Sequence, residues 1–196
     1  VSAIEPIVPL FLQTNYGFTP GQTSLMFSIA PVVYLLGTPA AGKLSDMYPR
    51  WKVVTIGVFV GAFGLPVVWV GTQIAGTGLH NVSEPLGLAL LGVTLFAAGL
   101  GLAFVDAPSM PLMADIVEWR GLKAMGEAAS LVDMGSNIAF IVAPLASSAI
   151  ANALGTEIAM ACFGALALAV VPVCYSLRRV GTKPREPRQP YATNKA

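Results

Sequence analysis

Charge is scarce in this sequence. Asp, Glu, Lys and Arg make up 11% of its 196 residues, against about 25% in a soluble domain. Cysteine is limited to Cys162 and Cys174, both in the last apolar stretch. That excludes a disulfide framework and a thiolate metal site. Histidine occurs once, as His80 in a polar connection, so no histidine metal centre is expected. No nucleophile–base arrangement and no ligand cluster is readable, so the chain is not expected to be an enzyme or to need a cofactor. No nucleic-acid partner is expected.

Apolar sequence is abundant. The chain is 55% hydrophobic, with a mean hydropathy of +0.72. It reads as an all-α, polytopic membrane protein. Apolar stretches run from about Thr23 to Ala41, Val53 to Ala75, Leu86 to Asp115, Glu127 to Ala153 and Ile158 to Leu177. A further stretch from Val1 to about Gln13 is shorter than the roughly 20 residues a span needs. It reads as a helix entered part-way, with sequence missing upstream. Six spans result, with residues 1–178 as one bundle. Residues 179–196, rich in Pro and Lys/Arg, are expected to form a disordered tail.

The basic residues sort by side. Lys43, Arg50 and Lys52 follow the second span, and Arg120 and Lys123 follow the fourth. Arg178, Arg179, Lys183, Arg185, Arg188 and Lys195 follow the sixth. The alternate connections, 14–22, 76–85 and 154–157, contain no Lys or Arg. This bias puts the basic connections and the C-terminus in the cytosol. Trp51 and Trp119 fall at that boundary and Trp69 near the other, as interfacial aromatics do. Asn81-Val82-Ser83 is a glycosylation sequon on the external side.

Against this background three acids stand inside spans: Glu5, Asp106 and Asp133. A carboxylate at a helix centre costs roughly 2.5–3.5 kcal/mol in the bilayer. Helix rise puts Glu5 about 15 Å from the external end of its span, and Asp106 about 13 Å and Asp133 about 9 Å from the cytosolic end. Low polarity favours a neutral carboxyl, and an adjacent cation favours the ionised form. Proton and cation then compete for one group, which is the basis of exchange. Asn137 follows Asp133 by one turn on the same helix face. Asp115, Glu118 and Glu127 lie at the boundary, where solvated or salt-bridged roles are expected.

The connection after the second span reads Gly42-Lys43-Leu44-Ser45-Asp46-Met47-Tyr48-Pro49-Arg50. It resembles the cytoplasmic loop signature of the major facilitator superfamily, with Gly42, Leu44, Asp46 and Arg50 matching. Met47 and Pro49 depart from the pattern, so this copy resembles the one between helices eight and nine. Further likeness is to the vesicular amine transporter and drug:proton antiporter branch. Its carriers are Glu5-Pro6-Ile7-Val8-Pro9, Tyr34-Leu35-Leu36-Gly37-Thr38, Val105-Asp106-Ala107-Pro108-Ser109-Met110-Pro111, and Asp133 with Pro144.

The resemblance implies helices seven to twelve of a twelve-helix fold, partnered by an N-terminal six-helix half. It implies proton-coupled export of a cationic or amphipathic organic solute from the cytosol, the proton being the coupling ion. Glu5, Asp106 and Asp133 would carry protons or meet the solute, and Phe27, Tyr34 and Phe140 would be cavity aromatics. Gly42, Asp46 and Arg50 would form a cytosolic gate. Ser136 stands where amine carriers have another aromatic, so monoamine specificity does not follow. Rival readings are a six-helix protein acting as a dimer or scaffold, and a six-span channel. A channel needs a selectivity element, and none is readable.

Overall fold

A computed structural model describes residues 5–6, 8–9, 12–13, 17–74, 84–121, 125–176 and 178. The predicted tail 179–196, the sequon at Asn81, and His80 lie outside the described residues. Among those described, every regular element is a helix: α1 (Pro20–Phe27), α2 (Ile29–Met47), α3 (Arg50–Ile74), α4 (Glu84–Trp119), α5 (Met125–Leu154) and α6 (Thr156–Ser176). Helical backbone also occurs at 8–9 and 12–13. Four stretches are long and apolar enough to cross a membrane: Pro20–Met47, Leu88–Trp119, Met125–Leu154 and Ile158–Ser176. The 25 residues of α3 would reach about 37 Å. The chain is an integral, multi-pass membrane protein.

The helix ends follow from local chemistry. The Thr19 hydroxyl accepts from the Gln22 amide at 3.4 Å, and the Gln22 side chain accepts from the Thr19 amide at 3.0 Å. This capping box, with Pro20 at the first helical position, satisfies donors the helix start leaves orphaned. The second span is two pieces, α1 and α2, meeting at Ser28, whose hydroxyl donates to Ser24 O at 2.7 Å. It also runs further than the hydropathy suggested. Residues 42–47, expected in a connection, are helical, and Tyr48 and Pro49 alone separate α2 from α3. Proline excludes the residue before it from the helical region. Tyr48 is accordingly extended, at φ −117° and ψ 159°. Gly155, at φ +98°, is the single residue between α5 and α6, a backbone angle that favours glycine.

In lipid there is no hydrophobic drive between helices, so packing rests on close approach of small residues. The antiparallel pair α3 and α4 is built this way. A Cβ on Gly101 would lie 2.6 Å from the Gly61 backbone, and one on Gly57 would lie 2.7 Å from Phe104 Cβ. Gly64 faces Ala97 one step further along. Gly57 and Gly61, four residues apart, thus leave room for α4 to approach closely. Buried Thr94 adds an interhelical bond, its hydroxyl donating to Gly64 O at 3.0 Å. The most extensive contacts join α3 to α4, α2 to α4 and α3 to α6, whereas α5 meets chiefly α6.

Two apolar clusters close the ends. Towards the end free of basic residues, Val8 and Leu12 are fully buried with Ala30, Leu91, Leu95 and Met160. This docks the N-terminal segment against α2, α4 and α6. Towards the basic end, Val54, Leu112 and Cys174 join α3, α4 and α6. The outer faces of α2 and α5 present Leu35, Leu36, Leu131 and Leu145 largely uncovered.

Candidate functional site

The site begins at a glycine. A Cβ on Gly37 of α2 would come within 3.1 Å of Ala103 Cβ on α4, so the two helices run close. Tyr34 lies one turn before Gly37 and Asp106 one turn after Ala103. Across this contact the Tyr34 hydroxyl donates to Asp106 Oδ2 at 2.6 Å. A charge-assisted bond of this length is among the stronger classes. Thr38 braces the same turn, its hydroxyl donating to Tyr34 O at 2.7 Å.

The backbone of α4 is unusual just beyond Asp106. Pro108 and Pro111 lie inside the helix, and each lacks the N–H that would bond four residues back. The carbonyls of Phe104 and Ala107 therefore lose their usual helical partners. The Ser109 hydroxyl turns back to Val105 O at 2.5 Å. An exposed acid thus stands at the start of a weakened helical turn, with one carboxylate oxygen already held.

The other sequence candidates are placed differently. Asp133, Asn137 and Phe140 are exposed on α5, at spacings that put them along one face. Asp133 and Asn137 have no hydrogen bond or ion pair among the described residues. Ser136 turns its hydroxyl to Val132 O at 3.1 Å. Glu5 is exposed in a turn, and Phe27 packs half-buried against the Val8–Leu12 cluster. Among the described residues, Tyr34 and Asp106 are the one pair of these candidates joined by a hydrogen bond or ion pair.

At the basic end Arg50 is buried to 9% exposure, while Asp46 is exposed. The Arg50 guanidinium binds α4 twice through Nη1. It pairs with Asp115 at 2.6 Å and donates to Pro111 O at 2.7 Å. Its Nε is buried without a partner. Gly42 is half-buried, its carbonyl accepting from buried Ser45 at 2.8 Å. Asp46 makes no ion pair among the described residues. The partner of Arg50 is therefore the boundary acid Asp115, expected to be solvated or salt-bridged, rather than its motif neighbour. The sequence held a signal for this: Asp115 lies one turn after Pro111.

The family model of the Major Facilitator Superfamily matches residues 1–195. The chromaffin granule amine transporter of Homo sapiens is 31% identical over 181 residues, covering 91% of this chain and 31% of the relative. The synaptic vesicular amine transporter of Rattus norvegicus is 24% identical over 178 residues, covering 91% of this chain and 32% of the relative. The vesicular acetylcholine transporter of Mus musculus is 25% identical over 178 residues, with 91% and 31% covered. The chain spans about a third of the length of these relatives.

Proposed function

Because the chain belongs to the major facilitator superfamily, we propose that it forms one half of a proton-coupled antiporter for a cationic or amphipathic organic solute such as an amine. The observation that carries this reading is the bond from Tyr34 to Asp106 at 2.6 Å. It combines a carboxylate able to hold a proton or a cation with an aromatic ring whose face attracts a cation. Proton and solute exclude each other at such a group, and that exclusion couples their movements.

In this reading Asp106 and Asp133 exchange protons and Glu5 takes solute or proton. Asn137 orients Asp133, and Tyr34, Phe140 and Phe27 line the path. Arg50 and Asp115 close the cytosolic side with Gly42 and Asp46 beside them. An N-terminal six-helix half covers the open faces of α2 and α5, and the two halves rock about the site. The bias of basic residues supports a cytosolic C-terminus. The names of the relatives, granule and vesicular amine transporters, support a vesicular membrane.

The test is uptake of radiolabelled amine into acidified vesicles by the full-length protein. Uptake is expected to need the pH gradient and to be lost in Asp133→Asn. Intact proton-driven exchange in that variant would remove Asp133 from the coupling mechanism.

A further inference from the structure

A second site stands at the basic end, outside the helices' shared interior. The first turn of α3 divides its cations. Arg50 is buried against α4, whereas Lys52 is exposed. Between them Trp51 meets Tyr175 of α6 edge-to-face, with ring centroids 5.7 Å apart and planes at 82°. Lys52 Nζ lies 5.7 Å from the Trp51 ring centroid. Arg178 stands 4.8 Å over the Tyr175 ring and donates to its hydroxyl at 2.7 Å. The rings are anchored from beneath, because Val54 and Cys174 are buried together in the α3–α6 contact.

Two exposed cations, one in α3 and one just past the end of α6, thus share one aromatic ledge at the membrane boundary. Neither has an acidic partner among the described residues. Arg178 spends one donor on Tyr175 and keeps four of its five N–H groups, in the geometry that suits phosphate.

A track of apolar side chains leads away from this ledge. Ile56, Phe59 and Phe63 follow Lys52 at spacings of four, three and four residues, which put all four on one helix face. All three are exposed, and Phe59 stacks on Phe63 at 5.9 Å. A soluble phosphate has no use for such a track, whereas an acyl chain does.

We propose that Lys52, Trp51, Tyr175 and Arg178 form a binding site for an anionic phospholipid. Its phosphate lies between the two cations and its acyl chain runs along Ile56, Phe59 and Phe63. The cytosolic leaflet follows from the orientation proposed above, and vesicles of symmetric composition make the binding test independent of that orientation.

The test uses the full-length protein in bilayer discs of phosphatidylcholine with graded phosphatidylserine, with co-purifying lipid measured by mass spectrometry. A juxtamembrane cation contributes about fivefold to anionic-lipid affinity. The pair Lys52→Gln and Arg178→Gln should therefore lower phosphatidylserine retention about 25-fold by the same rule, with melting in pure phosphatidylcholine unchanged. Phe59→Ser with Phe63→Ser should abolish the preference for long over short acyl chains. An equal loss on neutralising Lys183, Arg185 and Arg188 instead would overturn the site in favour of diffuse attraction. Displacement by millimolar inorganic phosphate would overturn it in favour of a soluble anion.

Discussion

Helices α4 and α5 each carry an acid inside an apolar run, Asp106 and Asp133, and each has internal proline, yet they live in different surroundings. On α4, small residues bring α2 and α3 against it, and Asp106 finds a tyrosine 72 residues away in sequence. On α5, Gly126 and Gly135 face open space, Asp133 is exposed, and Leu131 and Leu145 remain 67% and 69% exposed. The difference lies in the neighbours. The glycines of α4 are spent on helices within this chain, and those of α5 are available to others. Under the antiport reading proposed above, the braced helix would keep the shape of the bundle and the loosely held one would move.

Substitutions that fill space should separate the two helices most clearly. Gly101→Leu forces side chain into the Gly61 backbone, where the missing Cβ already lies too close. It should destabilise the protein by about 3 kcal/mol, read as a lower melting temperature in detergent. An unchanged melt would mean that α3 and α4 separate easily.

Next comes the α3–α4 clasp. Losing one partner of a buried ion pair costs about 3–5 kcal/mol. Asp115 keeps 35% exposure, so Arg50→Ala should cost about 2 kcal/mol. Arg50→Lys should recover part of this, because it restores the charge without the guanidinium geometry.

Tyr34→Phe removes one charge-assisted bond from a partly open site and should cost about 1 kcal/mol. Its effect on amine uptake should vanish in an Asp106→Asn background. Independent effects in that double-mutant cycle would show that the two residues do not act as a unit.

Smallest of all, Gly135→Ala should stabilise the protein by a few tenths to about 1 kcal/mol, since nothing opposes the added methyl and alanine favours helix. A loss there would instead mark α5 as closely packed in the full-length protein.

Much of the helical frame could be read from the sequence, because apolar length and the sorting of Lys and Arg are properties of the chain itself. The ends were less legible. Hydropathy stops near Ala41, whereas the helix stops where Pro49 forces Tyr48 out of it. The capping box at Thr19 and Gln22 was written in the sequence, but its signal is local chemistry rather than apolar content. Within the site, the acids were visible as costly residues in apolar runs. The partnership of Tyr34 with Asp106, and of Arg50 with Asp115, depends on which helices approach. That is decided by Gly37, Gly57 and Gly101, whose meaning emerges only across an interface.

The single-residue link at Gly155 has a mechanical consequence. It fixes one end of α5 to α6, which is itself held on α3. Asp133 lies 22 residues back along α5, a lever of about 33 Å. A tilt of about 5° about that end sweeps the carboxylate through roughly 3 Å, the length of one hydrogen bond. A slight rotation at the Gly155 end is enough to make or break a hydrogen bond to Asp133 near the basic end.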